Sequence, residues 1–131
     1  MKKLGEEGFT LIEVLIVCTL LGILASVAVP KFSGAVAAAN TAKIQTDLQT
    51  LDTAIVMYET EQGKTPESIA DLKDYVTDVS AVKPPTGKCR LRDGTTVNIS
   101  ATSYVIQGIS VNGTTEHRAT CDGRTAAQFG R

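Results

Sequence analysis

The sequence predicts an α+β protein, a long N-terminal α-helix packed on a small C-terminal antiparallel β-sheet, with the helix transmembrane in its first half and amphipathic in its second. Three observations carry this. Phe9 to Val29 is an apolar run of helical composition. Apolar residues then recur at Ile44, Leu48, Leu51, Ile55 and Tyr58, the spacing of one face of an α-helix. Beyond Pro85, two alternating segment pairs surround Asp93-Gly94 and Asn112-Gly113, which are hairpin turn signals. With 131 residues, 43% hydrophobic and 21% charged, the chain has the size of one small domain. Its 11 Gly, 4 Pro and 3 Cys exclude collagen-like and disulfide-dense scaffolds. A net charge of -1 gives no global argument for nucleic acid as partner. Mean hydropathy is +0.06, an average over an apolar N-terminus and a polar remainder.

The segment FTLIEVLIVCTLLGILASVAV, from Phe9 to Val29, contains Glu13 as its one ionisable side chain. As a helix it spans about 30 Å, the thickness of a bilayer's hydrocarbon core. Lys2 and Lys3 precede it and Lys31 alone follows, so the positive-inside rule puts the N-terminus in the cytoplasm and the rest outside. A secretory signal with Ala35-Val36-Ala37 or Ala37-Ala38-Ala39 as cleavage site fits less well: the run is too long, and Glu13 near its start is a poor export signal. A carboxylate at membrane depth costs a few kcal/mol and calls for a partner, unless it snorkels or protonates near the membrane boundary. No Lys, Arg or His lies between Phe9 and Val29, so within the span a partner has to be a chain terminus made by proteolysis nearby.

Gly8-Phe9-Thr10-Leu11-Ile12-Glu13, preceded by a short leader with Lys2 and Lys3 and followed by about twenty apolar residues and Pro30, resembles the prepilin motif of type IV pilins and pseudopilins. The resemblance implies that a membrane peptidase cuts after Gly8 and methylates the new amino terminus at Phe9. It also implies that Glu13 pairs with the terminal amine of the adjacent subunit during filament assembly. It covers the first thirty residues strongly and the following helix loosely. Cys18 stands where an aliphatic residue is expected.

Read continuously from Phe9 to Gln62, the helix has 54 residues, about 80 Å at the standard rise. Pro30 is expected to kink it, because proline removes one amide donor and crowds the carbonyl four residues back. Ser33, Gly34 and the alanines from Ala35 to Ala39 permit close helix approach, or simply supply helix propensity. Lys43, Asp47, Gln49 and Asp52 fall off the apolar stripe, and Gln62-Gly63 is the expected stop. A short second helix is expected with Thr65 as N-cap, Pro66 at its first position and Ile69, Leu72 and Val76 as its buried side. Tyr58, Gly63, Pro66 and Leu72 also resemble, more loosely, the loop after the long helix of major pilins and pseudopilins.

The C-terminal third reads as antiparallel sheet. A three-residue loop from Arg92 to Gly94, with Gly94 left-handed, aligns Cys89, Leu91, Val97 and Ile99 on one face. A two-residue Asp-Gly loop puts Val97 on the opposite face, and the first register is preferred. The second hairpin pairs Ser103–Val111 with Thr114–Cys121 through a type I′ turn at Asn112-Gly113, placing Tyr104 opposite Cys121 and Ile106 opposite Ala119. Cys18 lies in the span. Cys89 and Cys121 both lie in the part expected outside, where oxidation is permitted, and a disulfide between them is similar in placement to the family's C-terminal disulfide loop.

No catalytic constellation is legible. His117 is the single histidine and reads as an exposed strand residue. No Gly-rich phosphate loop, GxSxG elbow or Cys-His metal spacing occurs, and neither a cofactor nor a metal is expected. Asp93-Gly94 and Asp122-Gly123 read as turns, and the calcium site of some type II secretion pseudopilins does not map onto this chain. From Lys43 to Val82, three basic residues face eight acidic ones, a net of -5; from Lys83 to Arg131, seven face three, a net of +4. Lys83, Lys88, Arg90 and Arg92 are candidate contacts for DNA phosphates or for another subunit, against the simpler alternative of a solvated mixed surface.

The expected organisation is a leader over residues 1–8, a transmembrane and assembly helix over 9–30, and an exported domain over 31–131. That domain divides into amphipathic helix (31–62), helix and loop (63–87), and sheet with C-terminal tail (88–131). The expected function is structural: a subunit of a type IV pilus or pilus-like filament. The alternative is a pseudopilin of a type II secretion or competence system, and a further one is a membrane-anchored ligand- or DNA-binding module. The implied partners are further copies of the chain, the prepilin peptidase, a membrane platform protein, an assembly ATPase, membrane lipid before assembly, and DNA. The implied location is a single pass of the inner or cytoplasmic membrane, then an extracellular or periplasmic filament.

Overall fold

The computed structural model describes residues 8–130. The chain is α+β: one helix, α1 (Leu11–Gln62), then strands β1 (Gly87–Arg90), β2 (Thr96–Ile99), β3 (Val105–Val111) and β4 (Thr114–Thr120), with 3₁₀ turns at Ile69–Asp74 and Ala126–Gln128. It divides into two compact units, one ending at Ala35 and the other running from Val36.

In the first unit α1 is apolar on every side and its large side chains are exposed, from 47% at Val14 to 80% at Leu11. Pro30 lies inside the helix and does not end it. The hydroxyls here turn inward on their own helix: Thr19 Oγ1 donates to the Leu15 carbonyl and Ser26 Oγ to that of Ile23, each at 2.7 Å. A helix whose polar side chains are satisfied internally suits a lipid environment, where no water completes them.

In the second unit, the predicted stripe is the core. Ile44, Leu48, Leu51 and Ile55 are fully buried, while Tyr58 is half-buried and meets Tyr75 edge to face at 5.8 Å. Gly63 ends α1 as expected, with φ of 64° and its N–H on the Glu59 carbonyl. The next turn departs from expectation. It is 3₁₀ and begins at Ile69, because the Asp71 carboxylate accepts from the amides of both Glu67 and Ser68 at 3.0 Å and draws the cap to Ser68. Leu72 and Val76 are buried and Ile69 half-buried, as expected of that side.

Both hairpin registers agree with the sequence. Cys89 pairs with Val97 and Gly87 with Ile99, Leu91 bonds Thr95, and Gly94 has φ of 89°, giving the loop Arg92–Gly94. In the second hairpin Ile106 opposes Ala119, and Asn112 and Gly113 both have positive φ. Tyr104 and Cys121 fall just past the paired residues and are both buried.

The single sheet is corrected to two separate two-stranded ribbons, β1-β2 and β3-β4. Where a ladder would continue beyond β2, the Ser100 amide and hydroxyl instead donate to the Asp122 carboxylate, at 3.0 and 3.3 Å. On its other side β1 receives the C-terminal tail: Leu91 bridges Phe129, the Arg92 amide donates to Gln128, and the Gly130 amide to Arg90. Phe129, which no periodicity marks, is fully buried, and its carbonyl accepts from Gln45 Nε2 at 2.8 Å. Replacing Phe129 by Ala should cost about 3–5 kcal/mol in urea unfolding, the usual range for deleting a buried aromatic; an unchanged midpoint would show that the tail does not close this core.

Candidate assembly site

The motif residues stand at the start of α1. Gly8, Phe9 and Thr10 precede the helix in non-helical backbone. Among the described residues nothing lies within 4 Å of the position a Cβ would take at Gly8, and Phe9 is 89% exposed. Glu13 bends back on the helix end: its Oε2 accepts from the Thr10 amide at 2.8 Å, and Thr10 Oγ1 accepts from the Glu13 amide at 3.3 Å. This is a reciprocal capping box, Thr10 at N-cap and Glu13 three residues on. It also puts negative charge at the positive end of the helix. The signal Thr-x-x-Glu was present in the sequence, and reading Glu13 only as a charge in search of a partner missed it. One carboxylate oxygen is committed to Thr10; no hydrogen bond among the described residues engages Oε1, leaving it open to a second donor. Phe9, Glu13, Val14, Val17 and Cys18 line a shallow hollow of about 230 Å³ whose one charged group is this carboxylate.

The second unit carries the other residues singled out. Cys89 and Cys121 are both fully buried thiols in one core cluster, not joined in this structure. Burial raises both, Cys121 to about 11, with Asp122 and Cys89 as lesser contributors there. Tyr104 is raised well above the phenol range by burial and by donating to Asp47 Oδ2 at 2.7 Å. Asp47 also takes Lys43 at 2.6 Å. Asp52 Oδ1 accepts the Ala119 amide at 2.7 Å, and burial raises its carboxyl. His117 departs from expectation: its side chain is only a third exposed, and Nδ1 lies 3.3 Å from both Glu59 Oε1 and Thr65 Oγ1. Thr65, expected to cap a helix, instead serves this contact. With Val56 and the strand Thr115–Arg118, Asp52 and Glu59 line a groove of about 500 Å³. Among the described residues no group of three or more His, Cys, Asp or Glu is placed to hold a metal. Lys88, Arg90 and Arg92 are exposed on or just beyond β1, while Lys83 lies apart, before Pro84-Pro85.

Residues 4–29 match the model of the prokaryotic N-terminal methylation motif. The chain carries a prepilin-type methylation motif. The chain is 32% identical over 94 residues to type II secretion system core protein G of Klebsiella michiganensis, covering 72% of this chain and 65% of that protein. It is 38% identical over 85 residues to the protein of the same name from Vibrio cholerae, covering 64% and 58%. Fimbrial protein Q of Moraxella bovis is 29% identical over 120 residues, covering 90% and 74%. The chain thus spans less than two thirds of the length of these secretion-system relatives. No solved structure matches it. The resemblance to type IV pilins and pseudopilins is borne out by motif and relatives together.

The matched stretch contains Gly8, Phe9, Glu13 and Cys18 and stops one residue before Pro30. Of the expected leader, residues 1–7, with Lys2 and Lys3, lie outside the described residues. The thiols make the second unit sensitive to alkali when reduced. The folded chain holds the Cys121 proton more tightly than the unfolded chain does, so this stability is whole below the ordinary thiol value of 9.0 and is lost as pH rises towards about 11. Thermal unfolding under reductant should show Tm falling through that window; a flat Tm would refute burial as the cause.

Proposed function

We propose that the chain is a structural subunit of a type IV pilus or pilus-like filament. Residues 9–30 anchor it in a membrane, a prepilin peptidase cuts between Gly8 and Phe9 and methylates Phe9, and the N-terminal helix then polymerises. The observation that carries this reading is the combination at the start of α1: an exposed Gly8–Phe9 junction, a carboxylate held at the helix end, and an apolar surface that the described residues of its own unit leave uncovered. Cleavage creates an amine at Phe9, and Glu13 Oε1 supplies the acceptor for the amine of a neighbouring copy. The work is mechanical; a membrane platform protein and an ATPase drive it from elsewhere, so this chain needs neither cofactor nor metal. The membrane-anchored precursor has its N-terminus in the cytoplasm, and residues 31–131 form the exported domain.

The names of the secretion-system relatives favour a second reading, a pseudopilin of a type II secretion system, which uses the same N-terminal chemistry. In either setting the exported domain meets oxidising conditions, and Cys89 and Cys121, buried in one core, form a disulfide. Closing that loop contributes about 3–4 kcal/mol in the chain-entropy account. Intact mass should rise by two hydrogen atoms on reduction; two free thiols in the native, assembled protein would refute the bridge.

Two substitutions separate charge from capping at Glu13. Glu13→Gln keeps a capping-box side chain and removes the charge, whereas Glu13→Ala removes both, at a cost of about 1 kcal/mol to the helix end. Both should insert and be cleaved normally, and both should lose filaments in electron micrographs of sheared cells. Normal filaments from Glu13→Gln would mean that Glu13 serves as a cap and not as a counter-charge.

A further inference from the structure

We propose that β3 pairs edge to edge, antiparallel, with β3 of a second copy of the chain. In the β3-β4 ladder Ala119 opposes Ile106 and sends its N–H away from β3, to Asp52 Oδ1 at 2.7 Å. Ile106 therefore belongs to a pair that exchanges no ladder bonds, and by alternation along the strand so do Gly108 and Ser110. The N–H and C=O of all three point away from β4. No hydrogen bond among the described residues engages any of these six groups. The other strand margins are occupied or short. The tail bonds β1 at Arg90 and, just beyond it, Arg92; Asp52 takes the Ala119 amide on β4; and β2 has four residues, followed by Ser100 on Asp122.

Nothing in the composition of β3 closes this edge. The strand reads Val-Ile-Gln-Gly-Ile-Ser-Val, with neither proline nor charge. No Asp, Glu, Lys, Arg or His occurs from Gly94 to Thr115. Exposed edges ordinarily carry such residues, because unpaired strand groups accept another strand readily. A neutral run gives an ionic partner nothing to hold, whereas a second copy brings no like charges together across it. The exposed large apolar side chains of the two ribbons are Val105 and Val111, at 51% and 36%. Both stand on β3.

One register satisfies both the open backbone groups and the exposed valines. About a two-fold axis at Gly108, Ile106 of each copy opposes Ser110 of the other, and Gly108 opposes Gly108. The outward residues of the two copies then exchange six hydrogen bonds. The same register sets Val105 of each copy against Val111 of the other, so each exposed valine covers its opposite. A slip of two residues in either direction loses both valine pairs. Such a contact closes on two copies and does not itself extend a filament, which needs a head-to-tail interface. The seven residues of β3 make an edge ~24 Å long. That falls short of the roughly 800 Å² per partner of a standard interface. The pairing is therefore weak between isolated copies and gains weight where copies are concentrated.

The test is oxidative cross-linking of the full chain in neutral detergent, in a Cys18→Ser background that removes the exposed native thiol. Val105 of one copy and Val111 of the other form a non-hydrogen-bonded pair with Cα atoms ~4.5 Å apart, within disulfide reach. Val105 of one copy lies ~20 Å from Val105 of the other. A mixture of Val105→Cys chains with Val111→Cys chains should therefore give disulfide-linked dimers, and either variant alone should not. Ser110→Pro on both chains removes two of the six bonds without touching the β4 ladder and should cut the dimer yield about tenfold. Gln107→Lys, at an exposed position of the same strand, should lower the yield as well and decides the matter if the proline perturbs the fold. Equal cross-linking by the single variants would overturn the proposal, as would no cross-linking in the mixture or a yield that Gln107→Lys leaves unchanged. Unpolymerised chains are scored, so this outcome is separate from that of the Glu13→Gln filaments.

Discussion

The rest of the structure depends on a constraint set by the first half of α1: a helix that is apolar on every side has no stable existence in water. Among the described residues of its own unit nothing covers it, and its side chains from Leu11 to Val29 remain largely exposed. Lipid or other apolar helices have to supply the cover, and the local chemistry is compatible with either. Thr19 and Ser26 spend their hydroxyls on their own helix, and the end of the helix is closed by Thr10 and Glu13. A segment committed in this way contributes nothing to a globular core.

The second unit consequently builds its core from Ala37 onward, and it does so with few residues. One face of the second half of α1 supplies Ile44, Leu48, Leu51 and Ile55, and two ribbons that share no ladder join it in one apolar cluster through Cys89, Ile99, Tyr104, Ala119 and Cys121, with polar contacts at their margins. Asp47 receives Tyr104, Asp52 receives the Ala119 amide, Thr41 receives the Arg90 amide and Asp122 receives Ser100. The first three of these side chains stand beside the apolar stripe on α1 and complete backbone or hydroxyl groups that the short strands leave unpaired, as buried polar groups require. Phe129 then fills the remaining space from the chain's far end.

What could be read from the sequence follows from how local each signal is. The helix stripe, the Gly63 stop and both hairpin registers rest on periodicity and turn residues within a few positions of one another, and all appear in the fold. The division into two ribbons was not legible, because it depends on Ser100 finding Asp122, 22 residues away. Phe129 was missed for the same reason: a single aromatic in a tail has no period, and only tertiary packing reveals its role. At the N-terminus the sequence reading took Glu13 as a residue in need of a partner, whereas one of its carboxylate oxygens is engaged three residues away by a capping pattern that was also in view. His117 looked solvated by composition and is tied to Glu59 and Thr65 by proximity that no spacing in the sequence records.

The bond from the Ala119 amide to Asp52 carries a meaning beyond its modest strength. Ala119 opposes Ile106 in the ladder but sends its N–H away from β3, to the helix. An amide facing outward on the last strand of a two-stranded ribbon is a template on which a foreign strand can add. By occupying the donor with a carboxylate from its own helix, the chain places charge on the free margin of β4. It thereby disfavours the edge-to-edge addition of a foreign strand.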